Sequence, residues 1–304
     1  MENIAYHIPA LLVPTIDGVV GCTDGTYIDA TFGGGGHSRE LLSRLSTDGR
    51  LFSFDQDKDA FLNKIDDPRF CLVHSNFRYL KNFMRYYGVS QIDGLIADLG
   101  VSFHHFDNAE RGFSFRFDGP LDMRMNRDSG ITAADVVNTY DEQRLCRVLQ
   151  LYGELPNARQ IAATLVRSRQ HQPVLTTEQL AEILEPVCRK DKEKKTLTCV
   201  FQALRIEVND ELGALRQLLE TSLELLTSGG RIAILTYHSL EDRIVKNFFK
   251  SGNIEGQITK DFYGNKQCPF KLVNNKPIVP TEEEIAQNPR ARSAKLRIAE
   301  KLTC

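Results

Sequence analysis

Ten residues, Asp29-Ala-Thr-Phe-Gly-Gly-Gly-Gly-His-Ser38, constrain this chain more than any others. They follow the β-prone run Thr26-Tyr-Ile-Asp-Ala30, and the leucines between Ser38 and Leu45 recur at helical spacing. The glycines therefore link a strand to a helix. Four in succession give the backbone angles closed to other residues and let a ligand lie against the main chain. The first N–H groups of the helix beyond them lack partners within the helix and suit an electronegative ligand.

The surrounding pattern makes that turn part of a sheet. Arg50-Leu-Phe-Ser-Phe54, Phe70-Cys-Leu-Val-His74 and the run from Ile92 to Ala97 read as further strands, with helices expected from Lys58 to Ile65 and from Tyr79 to Tyr87. Strands alternating with helices imply right-handed βαβ units and a buried parallel sheet. From about residue 104 to 228 strand signals nearly vanish, and helices are expected over Ala133–Tyr152, Ala158–Ser168, Thr177–Val187 and Thr198–Leu226. Gly229-Gly230 then reads as a helix end, Arg231-Ile-Ala-Ile-Leu-Thr-Tyr237 as a buried strand, and Gln257–Phe262 and Leu296–Lys301 as weaker strands. The expected fold is an α/β sheet interrupted by an all-helical insertion. Residues 1–103 and 213–304 form the sheet domain and 104–212 the insertion, an organisation that 304 residues and 34.4 kDa accommodate.

Three cofactor classes use a glycine turn of this kind. The phosphate loop G-x-x-x-x-G-K-[ST] fails twice, with Thr31 at its first glycine and His37 at its lysine. The dinucleotide pattern G-x-G-x-x-G, begun at Gly33, meets Ser38 at its third glycine. Asp55 closes the second strand about twenty residues on, where a carboxylate accepts hydrogen bonds from both ribose hydroxyls of a nucleoside. Asp98 closes the fourth strand, and strand ends meet at one crevice in doubly wound sheets. A glycine turn, a ribose carboxylate and a further acid without a phosphate-binding lysine favour an adenosyl cofactor lacking phosphates, as S-adenosylmethionine is. His37 either lines that cofactor or caps the helix.

Net charge is −2, which by itself argues against a nucleic-acid partner. The distribution removes that objection. Residues 1–100 hold 9 basic and 13 acidic side chains, residues 217–304 hold 13 and 10, and the stretches Arg159–Arg205 and Asn288–Cys304 are both basic. Those two stretches are candidates for phosphate contacts. The seven scattered cysteines include no CxxC pair, which fits a reducing, cytoplasmic setting and no structural zinc. His104-His105 lacks a second ligand pair at metal spacing, so no metal is expected. No apolar run nears the roughly 18 residues of a membrane span, and the N-terminus lacks a basic stretch before its short apolar run.

Eight blocks together resemble one family. They are His7-x-Pro9-x-Leu-Leu, the glycine motif, Asp98-Leu-Gly-Val-Ser102, Arg111-Gly-Phe-Ser-Phe115, Pro120-Leu-Asp-Met-Arg-Met125, Phe201-Gln-Ala-Leu-Arg-Ile206, His238-Ser-Leu-Glu-Asp-Arg243 and Asn288-Pro-Arg-Ala-Arg-Ser-Ala-Lys295. In order and kind they are similar to the bacterial small-subunit rRNA cytosine-N4 methyltransferases, over nearly the whole chain. The resemblance implies a Rossmann-like methyltransferase core, S-adenosylmethionine as donor, 16S rRNA within the small ribosomal subunit as partner, and RNA recognition by the helical insertion. It implies that Gly35, Gly36 and His37 line the methionine end of the cofactor, that Asp55 holds the ribose, that Phe77 lies against the adenine, and that Asp98 closes the pocket. On the substrate side it implies Arg205, Asn209, His238, Ser239 and Arg243. Two departures stand out: His105, a candidate cofactor contact, replaces the family's usual glutamine, and Lys195-Thr-Leu-Thr-Cys-Val200 replaces His-Pro-Ala-Thr-Arg-Thr.

Asp98 and His238 are the candidate catalytic groups. The fourth strand ends without the paired prolines of many amino-methyltransferases, so the proton acceptor stays open. His238, with Ser239, either touches the target base or caps the helix that starts there. Three rival functions use the same residues: a nicotinamide-dependent oxidoreductase, separated by cofactor titration; a non-catalytic RNA-binding assembly factor, separated by the absence of methyl transfer; and, nearest in chemistry, an N-methyltransferase acting on another substrate such as DNA or protein.

Overall fold

The computed structural model describes residues 9–101, 106–188, 191–264 and 266–303. His7, His104, His105, Arg189 and Lys190 lie outside them, so the expected cofactor contact at His105 falls outside the described residues. The chain divides into two compact units: a sheet unit of residues up to Gly100 and from Leu212 onward, and a helical unit, Val101–Glu211.

The strands of the sheet unit are β1 (Thr26–Asp29), β2 (Arg50–Asp55), β3 (Phe70–His74), β4 (Ile92–Asp98), β5 (Leu226–Thr236), β6 (Phe270–Leu272) and β7 (Lys295–Lys301). They lie in the order β3-β2-β1-β4-β5-β7-β6. The strands β1 to β5 are parallel, while β7 runs antiparallel between β5 and β6. The order reverses between β1 and β4, which places a crevice at the carboxyl ends of those strands. This is a Rossmann-like α/β sheet.

Three helices precede the helical unit: α1 (Leu12–Val19), α2 (Gly36–Arg44) and α3 (Leu80–Tyr86). The helical unit contains α4 (Ala133–Thr139), α5 (Glu142–Gly153), α6 (Ala158–Ser168), α7 (Thr177–Leu184) and α8 (Glu193–Asn209). Then follow α9 (Glu211–Leu225), α10 (Ser239–Ser251) and α11 (Glu282–Gln287).

Side-chain alternation along the strands sets the two faces of the sheet. Ile28, Phe54, Leu95 and Ile232 face Leu80 and Met84 of α3, Leu215 and Leu218 of α9, and Val245, Phe248 and Phe249 of α10. Their neighbours Tyr27, Leu51, Ile96 and Ala233 face Ile16 and Val19 of α1 and Leu41 and Leu42 of α2. Each fully buried side chain of this size is worth about 1.5–3 kcal/mol relative to exposure. The helical unit has its own core, in which Leu145, Leu149, Ile161, Leu165, Leu180, Val200 and Leu204 pack together. Among the described residues no helix is long and apolar enough to cross a membrane.

Several local expectations are corrected. Gly229-Gly230 does not end a helix: α9 stops at Leu225, and the glycines lie in an irregular stretch of β5, where the register with β4 jumps from Ile92↔Leu226 to Gly94↔Arg231. The helix expected over 133–152 breaks because Asp141 accepts the Arg144 N–H and caps a new helix. The helix expected over 198–226 begins at Glu193 and breaks at Asp210, which takes a left-handed conformation. Residues 58–63 form a 3-10 turn rather than an α-helix. The candidate Gln257–Phe262 shrinks to Thr259–Lys260, paired with Lys266–Gln267.

Candidate active site

The glycine turn is closed by the Gly35 N–H, which donates to the Phe32 carbonyl at 2.7 Å, and is braced by its neighbours. Asp29, at the end of β1, accepts the Thr31 N–H at 3.0 Å and the Ser38 hydroxyl at 2.6 Å. Ser38 and Ser53 share a further hydrogen bond, tying α2 to β2. Gly33 and Gly35 have left-handed φ of 51° and 75°. At Gly35 a Cβ would press on the Phe32 ring at 2.8 Å, so only glycine fits without displacement. Gly35 also caps α2 and offers it no side-chain acceptor, leaving first-turn amides open to a ligand.

Asp55 lies across from the turn at the end of β2. Its Oδ2 accepts the Gly33 N–H and its Oδ1 the Asp57 N–H, both at 2.8 Å. Burial pushes its carboxyl up to about 6, against the pull of those two amides. Asp98, at the end of β4, accepts the Tyr237 hydroxyl on Oδ1 at 2.7 Å, while its backbone N–H donates to Thr31 Oγ1. Burial raises Asp98 to about 7; the Tyr237 hydrogen bond works in the opposite direction, and the Glu241 charge adds to the rise. Asp29 is raised by burial as well.

His37, the second residue of α2, is buried, with Nδ1 3.8 Å from Asp98 Oδ2. Burial lowers its pKa, outweighing the charge of Asp29 and the Ala10 carbonyl. Burial thus favours the neutral ring, and among the described residues its Nε2 meets no hydrogen-bond partner. Phe77 stands in a short 3-10 turn after β3, half-buried against the same sheet face as Phe54.

The other candidate residues hold different positions. His238 is the N-cap of α10, and its Nδ1 accepts the Glu241 N–H while Glu241 accepts the amides of Tyr237 and His238. Its Nε2 lies 3.2 Å from Glu241 Oε1. Ser239 and Arg243 lie in the first turns of that helix. Arg205 and Asn209 belong to the helical unit, where they act as internal ties. Arg205 forms a two-pronged ion pair with Glu211 at 2.7 and 2.9 Å. Asn209 accepts the Met125 N–H and donates to the Met123 and Arg205 carbonyls.

The structure thus brings Gly35, Gly36, His37, Asp55 and Asp98 to one end of the sheet. It adds Asp29, Thr31 and Tyr237, which sequence reasoning did not single out. The signal for Tyr237 was its place closing the fifth apolar strand. Three carboxyl groups converging on a glycine turn match an adenosyl ligand with a cationic centre, whereas a pyrophosphate would meet like charge. His37 Nε2, without a partner among the described residues, and the start of α2, which has no side-chain cap, fit the polar end of such a ligand.

The family model for the MraW methylase family matches residues 4–302. Ribosomal RNA small subunit methyltransferase H of Bacteroides fragilis (strain YCH46) is 59% identical over 300 residues, covering 99% of each chain. The protein of that name from Parabacteroides distasonis is 59% identical over 302 residues, again covering 99% of each, and that from Christiangramia forsetii is 52% identical over 302 residues, covering 99% of this chain and 100% of its own. The chain belongs to the MraW methylase family, and S-adenosylmethionine is its cofactor.

Proposed function

We propose that this protein methylates the exocyclic N4 of a decoding-centre cytosine in 16S rRNA, acting on the small ribosomal subunit in the cytoplasm. The relatives named for small-subunit rRNA support the substrate class, and the motif resemblance supports the cytosine. Bound S-adenosylmethionine supplies an electrophilic methyl group on a sulfonium centre. Gly35, Gly36 and His37 hold its methionine end, Asp55 accepts from its ribose, and Phe77 packs on its adenine.

Cytosine N4 is a weak nucleophile because its lone pair is delocalised into the ring. Alignment of that nitrogen with the methyl group does much of the work. An acceptor beside the amine must also take up the charge that develops there. The observation that carries this reading is Asp98: a carboxyl at the end of β4, raised to about 7, with Oδ1 engaged by Tyr237. Near neutral pH it accepts a hydrogen bond from the N4 amine and then its proton. His238 and Ser239, following Tyr237, with Arg243 one turn on, face the RNA side of this reaction. The helical unit recognises the RNA, with Arg205 and Asn209 shaping it from within. The test is transfer of labelled methyl groups to small subunits and to naked rRNA, followed by nucleoside analysis. N4-methylcytosine is expected, and its absence would overturn the assignment.

A further inference from the structure

The turn joining Thr259–Lys260 to Lys266–Gln267 has no part in the site above, yet it carries the most exposed aromatic residues described in the chain. Phe262 is 97% exposed and Tyr263 is 85% exposed, and their rings stand edge to face with centroids 5.7 Å apart. Leaving adjacent large rings in water is unfavourable, and a protein that needed only a turn here would use small polar residues. The turn is nevertheless built to present them. Asp261 accepts the Tyr263 N–H on its carboxylate and the Gly264 N–H on its carbonyl, and Gly264 takes the left-handed conformation that closes the turn.

Charge around the rings points to one kind of partner. Lys260 and Lys266 flank the turn, and Lys271 and Lys276 follow; all four are exposed. Between residues 257 and 276 the sole acid is Asp261, whose carboxylate is turned onto the backbone. Aromatic rings that accept stacked bases, set among cations that meet phosphates, are the elements of a single-strand nucleic-acid platform.

We propose that the paired segments Thr259–Gly264 and Lys266–Gln267 form an RNA-contacting element, in which Phe262 and Tyr263 stack on unpaired bases of the substrate while Lys260 and Lys266 contact the adjoining phosphates. This rests on the rRNA reading above and adds to it a contact outside the methyl-transfer site. A lipid surface is the competing occupant of an aromatic tip ringed by lysines.

The test uses the full-length protein and the double variant Phe262→Ala/Tyr263→Ala. Anisotropy with an unpaired, fluorescently labelled oligoribonucleotide should show affinity falling about tenfold or more. The KM for small subunits should rise in parallel, with kcat and S-adenosylhomocysteine affinity unchanged. Phe262→Tyr/Tyr263→Phe should restore wild-type binding, and Lys260→Gln/Lys266→Gln should reduce the slope of log affinity against log salt by about 1.4. Unchanged oligonucleotide affinity in the alanine variant would overturn the proposal. So would an alanine variant that loses only its binding to vesicles containing an anionic phospholipid. A wild type that binds the oligonucleotide through these residues but leaves rRNA unmethylated would sustain the assignment of these segments and defeat the proposed function, so the two failures are distinguishable.

Discussion

The hydroxyl of Tyr237 donates to Asp98 Oδ1 at 2.7 Å, joining the ends of two adjacent parallel strands at the site where the carboxylate is needed. The pairing acts on both groups: it stabilises the ionised form of Asp98, and the tyrosine is held well above its ordinary pKa by burial first and by the Asp98 charge second. Among the described residues, His37, Glu241, Asp29 and Glu284 are further titratable groups around this pair.

Removing that hydroxyl should move a pH–rate profile. If ionised Asp98 is the acceptor, the wild-type rate rises with pH through about 7. In Tyr237→Phe the carboxylate loses a hydrogen bond to its charged form, so the midpoint should move upward by about one unit. Activity at pH 7 then falls several-fold and recovers at higher pH. An unmoved midpoint in single-turnover rates would refute the role of the pair.

The same burial has a consequence for stability. A carboxyl whose folded pKa is raised favours folding below its unfolded value, about 4, and loses that contribution as pH climbs through about 7. Asp98→Asn keeps an oxygen for Tyr237 but cannot ionise. The stability of the ligand-free variant relative to wild type should therefore be level near pH 4 and improve progressively up to pH 8, read by urea unfolding. Its methyl transfer should fall by about a hundredfold or more.

Asp55 offers a ligand-side readout. Its carboxylate, raised to about 6, accepts best when charged. Calorimetric affinity for S-adenosylhomocysteine should weaken as pH drops below 6. Asp55→Asn should cost about 10- to 100-fold at pH 8 and abolish that pH dependence.

Arg205 separates packing from recognition. Its side chain and that of Glu211 are only 13% and 10% exposed, so truncating Arg205 strips the buried Glu211 carboxylate of its two-pronged cation. Arg205→Ala should destabilise the protein by about 3–5 kcal/mol, and Arg205→Met/Glu211→Met should recover much of the loss. A direct RNA contact would instead raise KM without lowering Tm.

The legible parts of this site are those that chain order alone specifies. Asp55 and Asp98 stand at the ends of apolar strands, and a parallel sheet brings such ends together whatever the loops do. Tyr237 needed one fact more, that β4 and β5 are neighbours. Gly229-Gly230 after a helical run resembles a helix end, because a β-irregularity exists only once a partner strand is known. Arg205 and Asn209 suggest an RNA surface by resemblance, but their partners lie across the break at Asp210 and in the 123–125 segment, which helical periodicity does not connect. The three-residue strand β6 is too short to give a pattern of its own.

The antiparallel strand β7 ties the enzyme to the timing of its own synthesis. Lys295 pairs with Thr236, 59 positions earlier, so β5 leaves the ribosome with one edge bare and waits for its neighbour. Until then the strand that delivers Tyr237 to Asp98 is supported from one side only, and its open edge can pair with another nascent chain. The methylase thus completes the support of its own centre only after the ribosome making it has delivered residues 295–301.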